Sequence, residues 1–288
     1  MKHSKVMQKS LFVNTSLVII KIISGFIFKS TALIADGIHS LSDLMSDVFV
    51  LLGLKQTTKP PDEEHPFGHG KFEYVLSLLL GFSILFVAYQ LIRTVVINLA
   101  SPIQVPSLLS LYVVAFVVIS KFLLSRYLIH QGTALDSQVI LASGKESLTD
   151  VISSFVVFFG VLSAYFGEQL GINGLIYGDS IAGIVIGLLI LKIAFEIIYQ
   201  AIHSLLGKSA KPEIIEAIKQ SVEALEGVLS VDHLDVIEYG YYYHVMIDIA
   251  VEASITVKAG HDIANKVKRH LKTKENIYHV LVHVNPKE

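Results

Sequence analysis

The sequence predicts an all-α transmembrane domain of six helices followed by a small α+β domain, and three observations lead there. The 288-residue chain is 52% hydrophobic and only 17% charged, with a mean hydropathy of +0.60, whereas a water-soluble globular protein carries about 25% charged residues. Six stretches approach the roughly 20 apolar residues that a helix needs to cross a hydrocarbon core of about 30 Å. From Lys208 the composition turns to that of a soluble domain, with ten Lys/Arg and twelve Asp/Glu through Glu288. Residues 1–207 therefore read as a membrane domain and 208–288 as a second domain.

The spans run from about Ser10 to Phe28, Ala32 to Leu54, Tyr74 to Leu99, Leu108 to Leu128, Leu148 to Phe166 and Leu175 to Leu206. The first, third, fourth and sixth read as plain apolar helices. The second and fifth do not, because ALIADGIHSLSDLMSD and LASGKESLTD put ionisable groups inside them. The first apolar run is too long for a secretory signal and lacks a small-residue cleavage pattern. Lysines precede the first span and flank the second-to-third loop, while the loops around Ser101–Pro106 and Gly167–Tyr177 hold no Lys or Arg. By the positive-inside rule both termini are expected in the cytoplasm.

Beyond Lys208, Ala217, Ile218, Val222 and Leu225 form an apolar stripe at helical spacing. Val228–Glu238 reads as a strand, and Tyr243, Val245, Ile247, Ile249 and Val251 alternate along another. Ile263, Val267 and Leu271 mark a second amphipathic helix, and Val280, Val282 and Val284 a last strand. The order α-β-β-α-β predicts a small ferredoxin-like sheet with helices on one face. A net charge of −2 lacks the basic field of a nucleic-acid binder. The absence of cysteine excludes disulfides, thiolate chemistry and Cys-based zinc sites.

His39 and Asp43 stand four residues apart and so share a helix face, with Asp36 and Asp47 continuing the stripe. Glu146 and Asp150 repeat the spacing in the fifth span. An acid at mid-bilayer costs roughly 2.5–3.5 kcal/mol, so such a set needs a bound cation, protons or internal water to be tolerated. Two such pairs on facing helices supply one imidazole and three carboxylates, a ligand set for a four-coordinate divalent metal. Asp36 and Asp47, towards the ends of the stripe, are expected to be hydrated or hydrogen-bonded. An intramembrane metalloprotease is excluded, because Ser40, Leu41 and Ser42 stand where HExxH requires its glutamate. In the loop PPDEEHPFGHGKFE, Asp62, His65 and His69 offer carboxylate and imidazole ligands within eight residues.

The segments ADGIHSLSD and HPFGHGKFE, the acid-bearing fifth span ending in TD and the α-β-β-α-β tail together resemble the cation diffusion facilitator family of metal exporters. The resemblance covers essentially the whole chain. It implies a homodimeric, proton-coupled exporter of divalent cations (Zn, Mn, Fe, Co or Cd) working by alternating access, and not an enzyme. It implies no resident cofactor: metal ions are substrate and possible structural or regulatory ligands. Protons, membrane lipid and a second copy are the expected partners, and the cell membrane the expected location. The family's transport site aligns with His39, Asp43, Glu146 and Asp150. Glu146 departs from the His or Asp more usual there, which makes the site richer in oxygen and opens it to Mn²⁺ or Fe²⁺. A loop site aligns with Asp62, His65 and His69, and a cytoplasmic-domain metal site with Asp232, Asp248, His261 and His283. His233, His244, His270 and His279 are expected as surface or strand histidines. The alternative is a membrane-anchored metal sensor that does not transport.

Overall fold

The computed structural model describes residues 2–57, 59, 61–99, 104–135, 137–240, 242–274 and 276–287, without the side chains of residues 2–4, 47, 49–56, 138 and 139. The chain forms two compact units, Met1–Val48 with Leu80–Glu196, and Phe49–Leu79 with Ile197–Glu288.

Among the described residues up to 205 there are six long helices: α1 (Lys2–Ile27), α2 (Thr31–Thr57), α3 (Phe72–Asn98), α4 (Leu108–Ala134), α5 (Gln138–Leu170) and, after a single turn α6 (Asn173–Ile176), α7 (Gly178–Leu205). At about 1.5 Å per residue each is long enough to cross a bilayer. Among the described residues, the stretches of α1, α3, α4, α5 and α6–α7 are also apolar enough. Phe12, Phe86, Leu123, Phe159 and Phe195 stand exposed, an arrangement that suits hydrocarbon and not water.

Within the first unit the helices meet through small residues, as expected where no hydrophobic effect drives association. A Cβ at Gly178 would lie 2.7 Å from the Gly160 carbonyl oxygen, so α5 and α7 touch backbone to backbone. Asp179 of α7 caps α2 from outside. Its carboxylate accepts from Ser30 Oγ (2.6 Å), Thr31 N (2.7 Å) and Thr31 Oγ1 (2.7 Å), which satisfies orphan donors at the positive end of that helix.

A buried ion pair ties α1, α2 and α5 together. Lys21 Nζ lies 2.8 Å from Asp36 Oδ2, and both side chains are sealed from solvent. Lys21 also donates to Ser40 (2.9 Å) and Ser154 (3.3 Å), and Asp36 accepts from Ser153 (3.3 Å) and Ser154 (2.9 Å). Of the hydrated or hydrogen-bonded states expected for Asp36, the structure shows the hydrogen-bonded one, and a lysine one helix away makes the acid tolerable in the interior. The side chain of Asp47 lies outside the described residues. The plain apolar reading of the first and fourth spans is corrected by Lys21 and by the equally buried Lys121.

The C-terminal domain follows the expected order, with α8 (Pro212–Glu223), β1 (Ser230–Tyr239), β2 (Tyr242–Glu252), α9 (Val257–Lys272) and β3 (Ile277–Lys287). The sheet order is β1-β2-β3; β1 and β2 are antiparallel, and β3 joins β2 in parallel. The parallel pairing requires a crossover, and α9 supplies it. Ile218, Val222, Val236, Val245, Ile247, Ile249, Val267, Leu271 and Val280 fill the core. Thr256 caps α9 by accepting from Ala259 N at 3.2 Å.

His244 takes the strand alternative of its expectation, on β2. Only 8% exposed, it stacks on Tyr239 with ring centroids 4.5 Å apart and meets Phe67 at 5.4 Å and His279 at 5.5 Å. Burial, reinforced by the charges of His279 and Lys71, pushes its pKa down to about 4.

Two outcomes follow from these buried groups. Lys21→Met strands the Asp36 carboxylate and should cost about 3–5 kcal/mol, whereas adding Asp36→Leu should recover most of it; thermal unfolding of the purified chain measures both. Because the folded-state pKa of His244 lies below the ordinary imidazole value of 6.5, the neutral ring stabilises the fold fully above that pH. The contribution is lost as pH falls towards about 4. Melting temperature should therefore drop between pH 7 and 5 less steeply in His244→Gln than in the parent chain.

Candidate metal centre

The centre is built on helical periodicity. His39 and Asp43 project from one face of α2, and Asp150 projects from α5. One ligand atom from each comes within 4.8 Å of the others, close enough for a single ion to draw them in. Asp150 is buried and Asp43 half-buried. His39 Nδ1 is buried without a hydrogen-bond partner, a cost that a bound cation would remove. Asp43 and Asp150 line a cavity of about 40 Å³, walled also by Asn14, Ser40, Lys121 and Glu146, among others.

Glu146, the fourth expected ligand, lines this cavity but stands exposed and is not gathered with the other three. It sits one turn before Asp150 on α5, so its longer side chain reaches the cavity wall and not the cluster. Lys121 is the residue that the sequence reading left out. Its Nζ donates to Asp150 Oδ2 at 2.7 Å and to Asn14 Oδ1 at 2.9 Å, with the lysine only 3% exposed. The signal was present in the sequence, since a lysine in mid-span is as expensive as an acid and implies a partner.

A second group forms in the loop before α3. The His65 backbone N–H donates to Asp62 Oδ1 at 2.6 Å. His65 Nδ1 and His69 Nε2 each lie 3.3 Å from an Asp62 oxygen, and the three side chains also offer ligand atoms within 4.8 Å of one another. The hydrogen bond from the His65 backbone, then those histidine rings, hold the Asp62 carboxyl below its usual range. Asp62 and His65 are exposed, and His69 is half-buried.

The four residues aligned in the C-terminal domain are not brought together. Asp248 and His283 are register neighbours on β2 and β3. Asp232 sits at the β1 irregularity, where it accepts from Ser230 Oγ (3.0 Å) and Asn285 Nδ2 (3.3 Å). His261 is exposed on α9. Among the described residues of one chain the four form no metal-holding group, although Asp248 and His283 are opposed across the sheet. Cross-strand register also sets His233 beside Asp248, although His233 Nε2 is engaged with Asp235 at 3.0 Å.

Residues 7–206 match the family model of the cation efflux transmembrane domain, and 210–287 that of the cation efflux protein cytoplasmic domain. The chain is 32% identical over 283 residues to the manganese efflux system protein MneP of Bacillus subtilis, covering 98% of this chain and 95% of that protein. It is 35% identical over 274 residues to an uncharacterized transporter of Methanocaldococcus jannaschii, covering 94% of each. The magnetosome protein MamB of Magnetospirillum gryphiswaldense is 29% identical over 256 residues, 88% of this chain and 84% of that one. Among solved structures, a cadmium form of the MamM CTD is similar over 27% of this chain and 98% of its own, at 23% identity and a TM-score of 0.26.

Proposed function

The chain belongs to the cation efflux family, and we propose that it is a homodimeric exporter of divalent metal ions, manganese foremost, driven by exchange for protons. The observation that carries this reading is the convergence of His39, Asp43 and Asp150 among membrane helices. A metal sensor that used its helices only as an anchor would have no need of such a set.

In this mechanism the ion arrives from the cytoplasm past the acidic loop at Asp62, His65 and His69. It then settles between α2 and α5, where Glu146 turns in from the cavity wall as a fourth ligand. Ligands must shed their protons to bind metal, so loading releases protons from the site. After the helices rock open to the far side, protons return to His39 and the carboxylates and loosen the ion. Three carboxylates to one imidazole make a hard donor set, which suits Mn²⁺ or Fe²⁺ better than sites dominated by imidazole or thiolate. The manganese-named relatives support the same choice. The lysine-rich loops support cytoplasmic termini. The residues Asp232, Asp248, His261 and His283 remain proposed metal ligands of the second domain, a role that would require completion by a second copy.

Metal flux into proteoliposomes tests the reading. Asp43→Ala and Asp150→Ala should each abolish Mn²⁺ flux without loss of folded protein, and collapse of the pH gradient should stop uphill flux in the parent. Retained flux in either arm removes the corresponding element. Glu146→His should move the metal preference towards Zn²⁺ in competition assays, and an unchanged profile would detach that residue from selectivity.

A further inference from the structure

We propose that Lys121 is a tethered cation that competes with the transported ion for Asp150, setting the affinity of the site low enough for release. The inference rests on the reading of Asp150 as a transport ligand and extends it to a residue outside the ligand set. Lys121 comes from α4, which contributes none of the proposed ligands. Its ammonium donates to Asp150 Oδ2 at 2.7 Å, so an oxygen needed by the ion is already engaged by a positive charge. At 3% exposure, the ammonium is held chiefly by protein acceptors. Asn14 Oδ1, 2.9 Å from Nζ, is the second acceptor and remains available when an ion takes Asp150. Lys121 can thus yield the carboxylate while still hydrogen-bonded, and reclaim it when the ion departs.

The charges on the cavity wall fit this role. Counted as ionised, Asp43, Glu146 and Asp150 bring three negative charges and Lys121 one positive charge to the same cavity, which leaves the charge that one divalent ion neutralises. Without the lysine the wall would hold a dication with one negative charge in excess. A carrier that binds too tightly cannot unload, because only differential affinity between states moves the cycle. A lysine that merely braced α4 against α5 would act in the opposite direction, since its removal would disorder Asp150 and weaken binding.

The experiment measures Mn²⁺ binding to the purified full chain and Mn²⁺ flux in proteoliposomes, taking as the site's own signal the part lost in Asp150→Asn. Lys121→Gln keeps a donor for Asp150 but removes the charge, and Lys121→Arg keeps the charge. Glutamine should tighten Asp150-dependent binding about tenfold or more, the scale of losing one charged competitor, and lower the maximal flux. Arginine should stay near the parent. Unchanged or weaker binding in a folded Lys121→Gln protein overturns the proposal. Should the glutamine variant not fold, Asn14→Leu decides: with its second acceptor gone the ammonium is confined to Asp150, so Mn²⁺ binding should weaken several-fold, and an unchanged affinity overturns the proposal. If Asp150→Asn leaves binding and flux intact, the transport-site reading itself fails, an outcome distinct from failure of the lysine's role.

Discussion

Charge held inside a lipid-embedded helix bundle is the constraint on which this structure depends. Two lysines answer two aspartates there, Lys21 with Asp36 and Lys121 with Asp150, and each pair joins different helices. Removing one member of a buried pair leaves an uncompensated charge, which is far costlier than never having had the pair. The helices that carry these residues are therefore coupled by electrostatics as well as by packing. The pairs nevertheless differ in surroundings. Lys21 and Asp36 are wrapped by Ser40, Ser153 and Ser154 and saturate one another, which makes a fixed joint. Lys121 and Asp150 border a cavity with an unpartnered imidazole nitrogen nearby, which makes an exchangeable one.

Backbone groups obey the same constraint. The N-terminus of α2 begins beside Lys29, which takes a positive φ of 57°, and a carboxylate from α7 supplies acceptors for its first donors. Asp179 thus performs for α2 what a local Ser or Asp cap performs in a water-soluble helix, with the difference that it also fastens two distant helices. Glycine contacts such as Gly160 with Gly178 bring the backbones near enough for these polar links to form.

In the second unit, polar chemistry gathers where loop and sheet meet. Phe67, which lies between His65 and His69 in sequence, contacts both His244 and His279, and Tyr74 Oη accepts from Gly240 N at 2.7 Å. The loop that holds the Asp62 group is thereby anchored to the sheet beneath it.

The spans, the α-β-β-α-β order and the i, i+4 pairs of α2 and α5 were legible because each is a local periodicity: length and hydropathy for the spans, alternation for strands, a 3.6-residue repeat for ligand faces. His39 with Asp43, and Glu146 with Asp150, could be paired because i, i+4 spacing puts each pair on one helix face. The tertiary structure decided everything that depends on which face meets which. It paired Lys21 with Asp36, sent Lys121 to Asp150, left Glu146 on the cavity wall and buried His244. The physical reason is that periodicity fixes direction within one element, whereas a counter-charge arrives from another element through packing that no local pattern encodes.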